Sequence, residues 1–175
     1  MCHFLYVASP LTLSEVRSML PDGLTADLLA PAETRLLLPF HTSARTFARL
    51  MAGACSCDLF IQRDREGRRE EAELRGRFRA LGLSRERTIA ALERHRRGGL
   101  EPRSPEAWAR AFAAFVAEHA RNAGPTLYFR HVSPGGLVAL PPPRGTVRVT
   151  VPEVLAAPGD WLSENQATMV VRPAA

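Results

Sequence analysis

Three cysteines carry the clearest chemistry in this sequence: Cys2 near the start, then Cys55 and Cys57 in the run Gly53-Ala54-Cys55-Ser56-Cys57. A thiolate is both a nucleophile and a soft ligand, and three thiolates with one histidine form an established zinc set. The same donors accept copper(I) or an iron–sulfur cluster. His3, next to Cys2, is the first candidate for the nitrogen ligand, with His41 and His131 as the others. Spacing limits the geometry. In a regular strand residues i and i+2 share a face but lie about 6.6 Å apart. Tetrahedral zinc, with Zn–S near ~2.3 Å, needs its sulfurs about 3.8 Å apart. Cys55 and Cys57 can meet at one ion only where the chain turns, as it can after Gly53-Ala54. The competing reading is packing, because unpaired cysteine is among the most buried residue types and behaves as a small hydrophobe.

Cys2 has a second chemistry. Removal of Met1 would leave an N-terminal cysteine whose own amine can serve as base for the thiol. The opening Met1-Cys2-His3-Phe4-Leu5-Tyr6 resembles the start of class II glutamine amidotransferases. The resemblance covers those six residues. The rest of the chain supplies too few strands for the four-layered fold of that family, so none of its residues is carried across.

The basic residues form the second constellation. All 23 are arginine, and the chain holds no lysine, which removes a phosphate-loop lysine, a Schiff-base lysine and a kinase-type site. Of these, 12 lie between Arg63 and Arg97 with 7 acids, so this segment holds the whole net charge of +5. The stretch from Leu74 to Leu92 resembles a helix-turn-helix, with Gly82 in the turn and Ser84 capping the second helix. Arg77, Arg85, Arg87 and Arg94 would then face base edges, phosphates or an acidic protein partner. A plain αα-hairpin explains Leu74, Phe78, Leu81, Ile89 and Leu92 equally well. The expectation is therefore a binding module, acting on nucleic acid or an acidic protein, as the alternative to the cysteine site.

A third cluster, His41-Thr42-Ser43, follows Phe40 at an expected strand-to-helix junction. Hydroxyls and a helix N-terminus at the carboxyl end of a strand suit a small anionic ligand. The chain has no G-x-G-x-x-G, G-x-S-x-G, H-E-x-x-H or EF-hand loop, so nucleotide, hydrolase and metalloprotease chemistry lacks its usual marks.

These residues need elements to hold them. The 175 residues, 46% hydrophobic and 23% charged, describe one domain with a sizeable core. Apolar and β-favouring runs predict strands over 3–8, 34–40, 55–62, 126–132, 137–140, 146–151 and 167–171. Thr12-Leu13-Ser14-Glu15 has capping-box spacing and predicts a helix to about Leu20. A further helix is expected from Thr42 or Ser43 to Gly53, carrying Phe47, Leu50 and Met51. Three more are expected over 68–81, 85–97 and 105–121, forming a central, arginine-rich insertion at about 63–122. The last has Pro105 in its first turn and a stripe of Trp108, Ala111, Phe112, Phe115, Val116 and His119. The class expected is a single α/β domain with a mixed sheet, an α+β arrangement being the alternative. No run approaches the ~18 apolar residues of a membrane span. Three cysteines do not suit a secreted disulfide framework, and the opening lacks a basic signal region, so the expected compartment is the cytoplasm.

Overall fold

The computed structural model describes residues 2–52, 56, 76, 84, 105–133 and 140–173. They form a six-stranded mixed sheet in the order β2-β3-β1-β4-β6-β5. Its strands are β1 (Cys2–Ser9), β2 (Leu24–Leu28), β3 (Thr46–Ala52), β4 (Thr126–Ser133), β5 (Thr146–Thr150) and β6 (Ala167–Val171). The helices are α1 (Leu13–Met19), α2 (Pro31–Leu37), α3 (Pro105–Ala123) and α4 (Val151–Ala156). This is the expected α/β domain with a mixed sheet.

The first four strands have a recognisable logic. β1 and β2, joined through α1, run in one direction, and β3 lies between them antiparallel to both. β4 follows α3 and pairs antiparallel on the other side of β1. That is the split β-α-β arrangement of ferredoxin-like folds. β6 extends the sheet antiparallel to β4, and β5 closes it parallel to β6.

Alternation of side chains gives the sheet two apolar faces. One carries Leu5, Val7, Ala48, Leu50, Tyr128 and Val170, and is covered by α1, α3 and α4. α3 packs there through Trp108, Phe112, Phe115 and Val116, while Glu106, Arg110, Glu118 and Arg121 remain exposed. The helical period explains this division, since residues three and four apart share a face. The other face carries Phe4, Tyr6, Phe47, Leu127 and Phe129, and packs against Leu37 of α2.

Two expected elements exchange identity. Residues 34–40, read as a strand, are the end of α2 followed by a 3-10 turn over Leu38–Phe40. Pro31 is pre-set for a first helical turn, and Glu33 Oε2 accepts the Ala30 N–H at 3.1 Å. The leucines that follow are good helix formers, without the β-branching that favours a strand. Conversely, Phe47, Leu50 and Met51 fit a helical stripe but lie in β3. This strand is central and apolar on both faces, which erases the alternation that would have marked it. The helix at Thr12 is α1 as expected. The Thr12 N–H donates to Glu15 Oε2 at 2.8 Å, and the Glu15 N–H donates back to Thr12 Oγ1 at 3.4 Å.

The helices expected over 68–81 and 85–97, and the turn at Pro134-Gly135-Gly136, lie outside the described residues, Gly76 apart. Leu140, expected to end a strand, lies in irregular chain. No helix among the described residues is long and apolar enough to cross a membrane.

Candidate functional site

The β1–β3 ladder runs from Ser9↔Thr46 to Leu5↔Leu50 and stops there. What stops it is a side chain. Ser56 Oγ accepts the Leu5 N–H at 3.1 Å and donates to the Leu50 carbonyl at 2.5 Å, so a hydroxyl stands between the two strands. Ser56 is fully buried and its backbone is a bend. The bend lies within the stretch expected as a strand. Cys55 and Cys57 lie outside the described residues. Leu5 in turn is three residues from Cys2, about 10 Å along a strand. β1 and β3 run antiparallel, so the end of β3 lies towards the start of β1.

Beyond Leu5, β1 continues against β4 alone among the described residues, with Cys2 opposite Ser133, His3 opposite Val132 and Phe4 opposite His131. His3 is buried, and its Nδ1 accepts from Arg130 Nε and Nη2 at 3.3 and 3.2 Å. Arg130 also pairs with Glu164 at 3.0 Å. An Nδ1 that accepts leaves the ring proton on Nε2. A metal at His3 Nδ1 would therefore have to displace the guanidinium, and one at Nε2 would need the other tautomer. Among the described residues, no three His, Cys, Asp or Glu side chains are gathered as a metal group; none of the three cysteine side chains belongs to that set.

At the other end of β1 lies a network that the sequence did not reveal. Ser9 Oγ lies 2.7 Å from His119 Nε2, and His119 Nδ1 lies 2.6 Å from Tyr128 Oη. The Leu11 N–H donates to Ser9 Oγ at 3.0 Å. The neutral ring donates at one nitrogen and accepts at the other, so the two bonds run in one direction, from Ser9 to Tyr128 or the reverse. A hydroxyl, an imidazole and a third orienting group make the order of an activated nucleophile. Here all three residues have no exposed surface. Burial, with His41 as a smaller influence, holds the imidazole neutral, its pKa lowered to about 4. Burial also raises the Tyr128 phenol well above its usual range. The network ties β1, α3 and β4 together and offers no reacting atom to solvent.

The His41-Thr42-Ser43 cluster does not form the expected anion site. The helix that would have aimed its N-terminus there is β3, and residues 41–45 are a turn. His41 is buried; its Nε2 donates to the Pro125 carbonyl at 2.9 Å and its Nδ1 faces Ser43 Oγ at 3.3 Å. Thr42 and Ser43 are exposed turn residues. Arg77, Arg85, Arg87 and Arg94 lie outside the described residues. A concavity of about 330 Å³ beside β2, lined by Arg17, Leu20, Leu24 and Asp27, holds one exposed ion pair and no converging chemistry.

Comparison with protein-family models, with curated proteins and with solved structures finds no match. The single sheet of the described residues also differs from the four-layered fold that the resemblance of the opening residues implies.

Proposed function

We propose that this chain works through a thiol centre where β1 begins and the chain leaves β3, with Cys55 and Cys57 at its heart and Cys2 as third thiol. The observation that supports it best is Ser56, whose buried hydroxyl is clamped between Leu5 and Leu50. A bend at that residue is the local geometry that two cysteines spaced i, i+2 require to share an ion. Thiolates select soft and borderline metals, so zinc is the first ion expected, with copper(I) and iron–sulfur chemistry as the other outcomes of the same donor set.

The double variant Cys55→Ser/Cys57→Ser tests this reading. Folded protein carrying both changes is expected to lose bound metal from about one ion per chain to a trace, measured by elemental analysis after anaerobic purification. Unchanged metal content in the double variant, or none in the parent, would contradict the proposal.

A further inference from the structure

The sheet ends on two edge strands, β2 and β5, which differ in how their outer backbone groups are used. An open edge is a row of unpaired donors and acceptors ready for another strand. On β2 the edge is guarded. The Leu29 N–H bonds the Phe47 carbonyl at 2.9 Å, so Leu24, Ala26 and Leu28 turn their N–H and C=O outward. The Ala26 carbonyl accepts from Arg17 Nε and Nη2 at 2.8 and 2.6 Å, and the Leu24 N–H donates to the Pro21 carbonyl at 3.0 Å. Arg17 therefore lies across the strand where a new neighbour would dock.

Among the described residues β5 has no such guard. The Ala167 N–H bonds the Gly145 carbonyl at 2.9 Å, and Thr146 is in register with Ala167. In a parallel ladder this directs Val147 and Val149 at β6 and turns Thr146, Arg148 and Thr150 outward. The Thr150 N–H is taken by Glu153 Oε2 at 2.6 Å, and its carbonyl opens α4 as the N-cap. The Arg144 N–H is taken by the Asn165 carbonyl at 3.0 Å. What stays open is the N–H and C=O of Thr146 and of Arg148, both exposed residues.

These groups are self-complementary. They match a second copy turned antiparallel about Val147, in which Thr146 exchanges both of its bonds with Arg148 of the other copy and the reverse. No open group is left over. Val147, a large apolar residue that is 36% exposed, then meets its own mate in the close, non-hydrogen-bonded pairing, with Cα atoms about 4.5 Å apart. Charge selects this register. Centring the pair on Arg148 sets two guanidinium groups directly opposite, which destabilises, and calls on the committed Thr150 N–H. Centring it on Thr146 opposes Arg148 to Arg144 and calls on the committed Arg144 N–H. About Val147, each Arg148 faces a threonine.

We infer that β5 is a dimerisation edge, through which two copies of this chain join antiparallel at Thr146 and Arg148 into one continuous sheet across a two-fold axis.

Sedimentation of full-length protein across a concentration series tests this, with reductant present so that no disulfide links the copies. A reversible monomer–dimer equilibrium is expected. Arg148→Pro removes an outward N–H and no bond to β6, at an edge position where proline is tolerated. It deletes one hydrogen bond from each copy and should weaken dimerisation by about 10-fold or more. Val147→Cys reads the register. On mild oxidation the two introduced thiols should form a disulfide between copies, found by mass spectrometry of the linked peptides, because the expected Cα separation lies within disulfide range. Parent protein that stays monomeric throughout the series would overturn the inference and leave the edge to a strand of a different protein. A dimer that Arg148→Pro leaves intact, or one in which Val147→Cys gives no bridge, would overturn it too. Melting curves identify a variant that fails to fold, and the bridge decides the matter where the proline variant does.

Discussion

Stability is expected to fall by about 3 kcal/mol as pH drops from 6.5 to 4, with the loss traceable to His119. The imidazole is neutral in the folded protein because burial, and secondarily His41, lowers its pKa to about 4. Released on unfolding, it returns to its ordinary value of 6.5. Between these two values the unfolded chain takes up a proton that the folded chain refuses. The contribution is therefore complete above pH 6.5, drains as pH falls, and is spent below pH 4. Each pH unit is worth about 1.4 kcal/mol, which gives the total. Carboxylates act in the same acid direction. Glu15 and Glu153 are held below the usual carboxylate range by hydrogen bonds from Thr12 and Thr150, and they lose that contribution as they protonate. Comparison with His119→Gln isolates the histidine, because the variant keeps both carboxylates and cannot take up the proton. Urea midpoints at pH 7, 5 and 4 should converge between the two proteins as pH falls. Equal slopes in parent and variant would show that His119 does not set the acid limit.

The largest single packing loss is expected at Phe112. Its ring lies 5.9 Å from each of Phe115, Trp161 and Tyr128, edge-on to the last. It joins α3 to β4 and to the segment that precedes β6. Phe112→Ala removes the hub and leaves aromatic walls that cannot collapse around the gap, at a cost of about 3–5 kcal/mol. In a domain of this length that lowers the melting temperature on the order of 10 °C. Phe112→Leu keeps most of the volume and should cost less than half as much. A loss below about 1 kcal/mol for the alanine variant would mean that Trp161 and Tyr128 repack freely, contrary to the crowded arrangement of this face.

How far these features were legible in the sequence follows from how local their causes are. The capping box at Thr12 and Glu15 involves residues three apart, and the stripe of α3 involves one helix, so both could be read directly. β6 was also plain, as a short apolar run at a chain end. β3 was not, because a central strand buried on both faces has no alternation to show. Residues 34–40 were misread because a leucine run alone does not separate strand from helix; the deciding signals were Pro31 and Glu33. The Ser9–His119–Tyr128 network joins residues 110 and 9 positions apart. Only the order of strands brings it together. His119 sat visibly on an apolar stripe, and Tyr128 alternated with other core residues, but nothing in the spacing linked them to Ser9. The same holds for the contact of His131 with Asn165, 34 residues later. The three cysteines were conspicuous from composition alone, whereas the bend at Ser56 was not.

The thiol centre is tested most directly by counting metal and free thiols on anaerobically purified full-length protein. The expected result is about one zinc-like ion per chain, with all three cysteines protected from alkylation until a strong chelator is added. No bound metal, together with three thiols that react at once in the folded protein, would contradict it.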